Sequence, residues 1–212
     1  MVTLGSKGDH TIRFLWLTKS GRIEFLVDLV IDTVMDAIKP LFLVVLVGLI
    51  LYSCSSRNDW QTASRDSAGI APLPSETREA VLQVYGADAW GWRGWFAIHT
   101  WIAAKRSDQD FYTVYDVVGW RRTVMGIYKD VPDRYWYGAK PKLLKAHRGD
   151  GIDALIDAVE AAANVYPWQN SYTVFPGPNS NTFTAWIAKQ VPELELDLPF
   201  SAIGSGYVNQ VD

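Results

Sequence analysis

Cysteine and histidine are scarce in this chain of 212 residues. The single Cys54 excludes an internal disulfide framework and a cysteine-based metal cluster, because both need several thiols. The histidines are His10, His99 and His147, and three scattered residues do not indicate a zinc site. The sequence therefore predicts neither a metal nor a cofactor.

The chain also lacks a surplus of positive charge. Its 20 basic and 23 acidic side chains give a formal charge of −3, without a visible patch of Lys and Arg. Nucleic acid is therefore a poor candidate partner, since basic clusters provide most of the affinity for phosphate backbones. An apolar fraction of 49% is enough for one globular domain with a core.

A hydrophobic run of full transmembrane length is missing as well. The uncharged run Leu41–Tyr52 has 12 residues, whereas a spanning helix needs about 20. In one interpretation the span extends from about Ala37 to Ser53 and stays as an uncleaved signal anchor. In the other it is the hydrophobic region of a signal peptide, and residues 51–54 resemble a bacterial lipobox with Cys54 as the lipidation candidate. We favour the uncleaved anchor.

Charges before this run predict the orientation of the protein. Basic residues are concentrated near the N-terminus, which the positive-inside tendency leaves in the cytoplasm. The sequence therefore predicts a protein of the bacterial inner membrane whose C-terminal domain faces the periplasm, with the membrane as a partner. The predicted parts are a cytoplasmic segment (1–22), an amphipathic and transmembrane segment (23–53), a linker (54–78) and a globular domain (79–212).

The globular domain combines short strands with separate helices. Candidate strands cover Val81–Tyr85, Phe96–Ala104 and Phe111–Trp120, which are rich in β-branched and aromatic residues. A helix is predicted after Asp150 and a shorter one at Lys140–His147. We therefore expect an α+β fold with a small antiparallel sheet and packed helices.

The segment Pro176–Phe183 points most directly to chemistry. It lies between an apparent strand (Tyr172–Phe175) and an apparent helix (Phe183–Gln190). Ser180 then lies at a helix N-terminus, where unpaired N–H groups and the helix dipole favour negative charge. The same residues are also typical of ordinary helix capping.

His99 and Asp116 complete a candidate catalytic set. If Ala104 pairs with Phe111, His99 lies directly opposite Asp116, whereas a two-residue shift places Val118 there. A carboxylate beside the imidazole would fix its tautomer, and the set would then be nucleophile Ser180, base His99 and orienter Asp116. The alternative is a structural histidine that bonds to a neighbouring carbonyl, with Asp116 as a charge on the sheet surface.

Several motifs resemble a bacterial family of membrane-anchored proteins that is known only as a domain of unknown function. The resemblance covers most of the chain from about Asn58 onward. The segments that carry it are Asp59-Trp60, Arg65–Gly69, Trp90–Gly94, His99–Ala103, Asp133–Trp136, Pro176–Ile187 and Val191–Leu194.

The order of motifs also resembles the circularly permuted papain-like (NlpC-type) hydrolases and acyltransferases. In that group a histidine lies on an early strand and a cysteine, flanked by asparagines, opens a later helix. The resemblance implies that His99 is the base, that Ser180 takes the place of the cysteine between Asn179 and Asn181, and that Phe183 seats the helix. Serine instead of cysteine is a departure, and it leaves an inert descendant as an alternative.

Two functions follow from these expectations. The first is a membrane-anchored hydrolase or acyl-transfer enzyme of the cell envelope that acts on peptidoglycan peptides, lipoprotein amines or lipid esters. Backbone N–H groups of Ser180 and Asn181 would stabilise the oxyanion, and the predicted substrate-binding residues are Asn179, Asn181, Trp101 and Trp92. The second is a non-catalytic envelope module that binds a ligand or protein through the same cleft or through the tryptophan-rich loop Trp90–Trp95.

The two membrane interpretations differ in the mature N-terminus. We expect mass spectrometry of the purified protein to find the peptide that contains Met1, because an uncleaved anchor retains it. A mature chain that begins at a lipidated Cys54 would contradict this prediction.

Overall fold

The computed structural model describes residue 31, residues 33–49 and residues 59–210, and the chain divides into two compact units, Met1–Ser56 and Arg57–Asp212. In the first unit, residues 31 and 33–49 are helical (α1). Among the described residues, none of the helices combines the length and the apolar character needed to cross a membrane. Cys54 lies outside the described residues.

The second unit contains one five-stranded antiparallel sheet and two longer helices. The strands, in the spatial order β4-β3-β2-β1-β5, are β1 (Val81–Asp88), β2 (Ile98–Lys105), β3 (Thr113–Val117), β4 (Met125–Lys129) and β5 (Lys142–Arg148). The helices are α2 (Ile152–Asn164) and α3 (Ser180–Gln190). Short 3-10 helices cover Pro74–Glu76, Gly91–Trp95, Pro192–Leu194 and Ser205–Gln210. The predicted α+β class with an antiparallel sheet and packed helices is confirmed.

The sheet is the middle layer of this unit, because its central strands are covered on both faces. Nearly every residue of β1 and β2 is buried. Successive side chains of a strand point to opposite faces, so the two faces have separate cores. One face packs on α2 and α3, through residues such as Leu82, Ile102, Val159, Phe183 and Ile187. The other face carries a cluster that includes Tyr85, Trp101, Tyr112, Val114 and Trp136, which we call the aromatic layer.

Part of the segment predicted as a linker, from residue 59 onward, packs on the domain. Asp133 is buried and holds this segment in place. Its carboxylate accepts hydrogen bonds from the Ser67 hydroxyl at 2.8 Å and from the backbone N–H groups of Ile70 and Ala71 at 2.5 and 3.1 Å. A buried carboxylate with three donors is a well-satisfied group and anchors the chain firmly.

Two predicted elements are wrong. The segment Lys140–His147 is not a helix, because most of it forms β5, which pairs with β1 from Val81↔Arg148 to Gly86↔Lys142. The backbone of β1 needs hydrogen-bond partners on that side, and such non-local pairing overrides local helix propensity. Tyr172–Phe175 is irregular and not a strand. The N–H of Thr173 donates to Pro178 O at 2.7 Å, so this segment bonds to its own loop.

A buried polar cluster connects β2 to α3. The Thr100 hydroxyl lies 2.9 Å from Asn181 Oδ1, 2.9 Å from the Thr184 hydroxyl and 3.3 Å from Ser180 O. The side-chain amide of Asn181 donates to Ile98 O at 2.9 Å and to Ile203 O at 2.9 Å. All of these side chains are buried, so the N-terminal turn of α3 has one fixed position on β2.

Replacing the Thr100 hydroxyl tests this connection. Thr100→Val keeps the size of the side chain but leaves Asn181 Oδ1 without its donor, and we expect the free energy of unfolding to fall by about 1–3 kcal/mol. Urea denaturation provides the measurement. Thr123→Val, at an exposed position, is the matched control and is expected to change stability little. Equal stability of both variants would contradict the prediction.

Candidate functional site

The start of α3 is a complete helix cap, and Asn179 forms it. Asn179 Oδ1 accepts hydrogen bonds from the backbone N–H groups of Asn181 at 2.9 Å and Thr182 at 3.1 Å. In return the Thr182 hydroxyl accepts from the backbone N–H of Asn179 at 3.1 Å. The capping interpretation of this motif therefore applies to Asn179 and leaves the Ser180 hydroxyl without a capping role.

Ser180 is the first residue of α3 and lines a cavity of about 570 Å³. Its carbonyl accepts a hydrogen bond from the Thr184 hydroxyl at 3.1 Å and lies 3.3 Å from the Thr100 hydroxyl. Its own hydroxyl forms no hydrogen bond to any residue in the ranges that the structure describes, although only 3% of the residue is exposed. A hydroxyl that lines a cavity and has no protein partner is available to a ligand.

The flanking asparagines use their side chains for structure. Asn179 Nδ2 donates to Val174 O at 3.0 Å and Ile203 O at 3.1 Å. Gly204 makes this approach possible, because its φ is +93° and a Cβ there would lie 2.2 Å from Asn179 Nδ2. Both side-chain amides are therefore satisfied by the protein, and the predicted substrate-binding role of Asn179 and Asn181 requires these bonds to change.

Of the two backbone N–H groups expected to stabilise an oxyanion, those of Ser180 and Asn181, the second is already engaged in the helix cap. The backbone N–H of Asn181 already donates to Asn179 Oδ1, so it is not free to bind a substrate oxygen. The N–H of Ser180 has no acceptor among the residues that the structure describes. Together with the positive end of the helix dipole, it is the donor that α3 presents near the Ser180 hydroxyl.

His99 lines the same cavity from the opposite face of the sheet. Its neighbour Thr100 points to α3, so His99 points to the aromatic layer, where its ring stacks on Trp136 at a centroid distance of 3.5 Å and an angle of 5°. The residue is 5% exposed, and its Nε2 has no hydrogen-bond partner in the described part of the chain. Hydrogen bonding between His99 and Ser180 is likewise absent there.

The electrostatic surroundings keep the His99 imidazole neutral. Burial lowers the pKa of His99 well below its usual value, and the positive charges of Arg134 and Arg121 lower it further. Desolvation and like charge both disfavour the imidazolium form. A neutral imidazole can accept a proton, which a base requires.

Asp116 does not lie opposite His99. In the observed register Ala104 pairs with Thr113 and Ile102 with Tyr115, so the assumed pairing of Ala104 with Phe111 is wrong by two residues. Continued along the strands, this register places Val118 opposite His99, as in the alternative considered from the sequence. A shift of two residues keeps every side chain on its face, so the alternation of apolar residues could not distinguish the two registers.

The Asp116 carboxylate is instead fully buried among donors. It accepts hydrogen bonds from Arg121 Nη2, from Arg134 Nη2 at 2.8 Å and from the Tyr128 hydroxyl at 2.9 Å. Burial, together with this carboxylate, raises the pKa of Tyr128 to about 12. Asp116 therefore neutralises arginines, and the geometry offers no direct contact through which it orients His99.

The cavity wall is largely aromatic. The large rings that line it are Trp90, Trp92, Phe96, Trp120, Trp136, Tyr172 and Phe175. Trp92 and Phe175 are 58% and 73% exposed and lie at the rim, as expected if the tryptophan-rich loop contacts a ligand. Trp101, predicted to bind substrate, is completely buried, and its Nε1 donates to Pro132 O at 2.7 Å. Trp101 is not part of this wall.

Sequence reasoning did not single out Trp120, Trp136 or Tyr172 as cavity residues. Trp120 and Trp136 lie far from Ser180 along the chain, whereas Tyr172 lies in the loop directly before α3. Aromatic residues alone do not reveal which rings meet. One signal was available for Trp136, because the segment Asp133–Trp136 carried part of the family resemblance. Arg134, from the same segment, acts on His99 through its charge.

Comparison with known proteins identifies one family. The model of the family described as Protein of unknown function (DUF3750) matches residues 79–207, which is more than half of the chain. The resemblance to a domain of unknown function is thereby confirmed. None of the curated proteins and none of the solved structures matches the chain.

The lowered pKa of His99 predicts how stability depends on pH. The unfolded chain binds a proton at His99 below about pH 6.5, whereas the folded protein resists this, so the contribution of His99 to stability is lost as the pH falls. Between pH 7.5 and pH 5.5 we expect wild type to lose about 1 kcal/mol more than His99→Gln in urea denaturation. Identical pH dependence of the two proteins would contradict the prediction.

Proposed function

The chain belongs to the DUF3750 family of proteins of unknown function, and we propose that its domain is a hydrolase or acyl-transfer enzyme with Ser180 as nucleophile and His99 as general base. One observation carries this proposal. A serine hydroxyl at a helix N-terminus, without a hydrogen-bond partner in the described residues, lines the same cavity as a neutral histidine that lies 81 positions earlier in the sequence.

The proposed reaction has two acyl-transfer steps. His99 accepts the hydroxyl proton as Ser180 Oγ attacks the acyl carbon, and the resulting imidazolium gives this proton to the leaving alcohol or amine. Water or an acceptor group then attacks the carbonyl carbon of the acyl-serine, and His99 accepts the proton of this second nucleophile. His99 then gives that proton to Ser180 Oγ, which leaves as the free hydroxyl. The Ser180 N–H and the dipole of α3 stabilise negative charge on the substrate oxygen.

In this proposal His99 works without a carboxylate orienter. Its ring plane is set by the parallel stack on Trp136, whereas Asp116 bonds to Arg121, Tyr128 and Arg134. The proposal requires a hydrogen bond between His99 and Ser180 to form when substrate binds, since catalytic hydrogen bonds are often long or poorly aligned in empty enzymes. The resemblance to permuted papain-like hydrolases supports the architecture that we propose, because Ser180 takes the position of the cysteine in that group.

The lining of the cavity favours a substrate with an apolar acyl group. Seven aromatic side chains form its wall, and aromatic rings bury apolar groups well. We further propose that the enzyme is anchored in the inner membrane with this domain in the periplasm. Lipid esters then suit the cavity best among the expected substrates, which also include lipoprotein amines and peptidoglycan peptides.

A non-catalytic binding module is the second candidate. Two observations favour it: Ser180 and His99 are not hydrogen-bonded to each other within residues 59–210, and the Asn181 N–H is occupied by the cap. The exposed rings of Trp92, Phe96 and Phe175 would then provide the contact surface. A binding module needs no thiol nucleophile. It therefore accounts for serine at position 180, where the papain-like enzymes have cysteine.

Labelling with a fluorophosphonate distinguishes the two candidates. We expect wild type to be labelled, Ser180→Ala to lose the label completely, and His99→Gln to react about 10²–10⁴-fold more slowly because the base is removed. Ser171→Ala changes an exposed serine of the preceding loop and serves as the matched control. Full labelling of Ser180→Ala would remove Ser180 from this role.

Absence of labelling in wild type is interpreted with a second variant. Ser180→Cys places a thiol at the same point, and alkylation with iodoacetamide reports whether reagents enter the cavity. An alkylated Ser180→Cys protein together with an unlabelled wild type would show an open site without an activated hydroxyl. That result supports the binding module and contradicts the enzyme.

A further inference from the structure

A second cavity, of about 510 Å³, lies beside the aromatic layer and has a different chemical character. Its charged lining residues are Arg65, Arg121, Arg134, Asp116 and Asp130. Three guanidinium groups face two carboxylates, so one positive charge stays uncompensated. We propose that this cavity binds an oxyanion of one negative charge, a carboxylate or a phosphodiester.

Arg134 is the central donor of the proposed site. It is 6% exposed, and its Nη2 donates to Asp116 Oδ2 at 2.8 Å and to the Tyr128 hydroxyl at 3.1 Å. Its buried Nη1 pairs with the Asp130 carboxylate at 3.3 Å but forms no hydrogen bond within residues 59–210. A buried N–H group that has an ion-pair partner but no hydrogen bond is incompletely satisfied, and a bound oxyanion would provide the acceptor.

Two further arginines extend the positive surface. Arg121 donates through Nη2 to Asp116, and its buried Nε has no acceptor in the part of the chain that the structure describes. The guanidinium of Arg65 lies 4.3 Å from the centre of the Tyr137 ring and is exposed to solvent. Because planar guanidinium groups pair well with carboxylate and phosphate oxygens, this set suits an oxyanion.

The wall of the second cavity is held in place by a tight turn. Tyr137 has a φ of +49° and Gly138 a φ of +86°, and Trp136 and Ala139 close the turn through two backbone hydrogen bonds of 2.9 and 3.0 Å. A tyrosine in the left-handed region costs about 1 kcal/mol or more. The turn places the Tyr137 hydroxyl where it accepts a hydrogen bond from Trp120 Nε1 at 3.0 Å.

The second cavity adjoins the cavity of Ser180 and His99. Trp120 and Trp136 line both, so an anion held by the arginines lies behind this shared wall. None of the charged residues of the proposed anion site gives or accepts a proton in the acyl-transfer steps, and Arg134 and Arg121 act on His99 only by lowering its pKa. Binding of an anion and acyl transfer can therefore be tested separately.

Titration of the purified full-length protein with dimethyl phosphate and with acetate, followed by ligand-observed NMR, tests the proposal. We expect saturable binding that Arg65→Gln weakens about tenfold, since a charge-assisted contact is lost. Asp130→Asn is expected to strengthen binding, because it removes a competing carboxylate beside Arg134. A gain in affinity cannot result from misfolding.

Two controls make the result specific. Arg122→Gln changes an exposed arginine that does not line the cavity, and it is expected to bind the anions as wild type does. Ser180→Ala is expected to keep anion binding even if it loses fluorophosphonate labelling, which separates this proposal from the proposed enzyme.

Dihexanoyl-phosphatidylglycerol, used below its critical micelle concentration, shows whether the bound anion is a lipid headgroup or a small soluble anion. Much tighter, Arg65-dependent binding of this lipid than of dimethyl phosphate identifies a lipid headgroup, whereas equal binding identifies a small soluble anion. The absence of saturable binding of all three probes, or equal losses in Arg65→Gln and Arg122→Gln, would overturn the proposal.

Discussion

The buried side chain of Asn181 is the interaction on which the geometry of the candidate site depends. Its amide bonds to Ile98 O and Ile203 O, and its carbonyl oxygen accepts from Thr100. His99 lies between the two residues of β2 that Asn181 holds, and Ser180 directly precedes Asn181 in α3. One side chain therefore fixes the histidine and the serine relative to each other, and buried hydrogen bonds of this kind are costly to break.

The aromatic layer replaces a second layer of helices on the other face of the sheet. The rings of Trp101, Trp120, Trp136 and Tyr137 contact one another at centroid distances of 5.0–6.2 Å. Large rings bury much area for few residues, so irregular loops can cover the central strands β1 and β2 almost completely. Trp120 and Trp136 also separate the two cavities, because both line each of them.

The charges of the aromatic layer link the two cavities. Arg134 and Arg121 neutralise the buried Asp116, line the second cavity and lower the pKa of His99. A base beside two arginines remains unprotonated at neutral pH. Asp116 thus binds the same two arginines that lower the pKa of His99, whereas the sequence suggested a direct contact between Asp116 and His99.

Local patterns in the sequence were sufficient for β1, β2, β3, α2, the helix after Ser180 and the α+β class, because burial periodicity and cap residues act over a few neighbours. Tertiary structure alone decided the register of β2 and β3, the strand β5 and the partners of Asp116. A shift of two residues leaves the apolar pattern unchanged, and hydrogen bonds between distant segments leave no local signal. For the same reason the cavity that joins Ser180 to His99, and the arginines behind its wall, emerge only when the chain is folded.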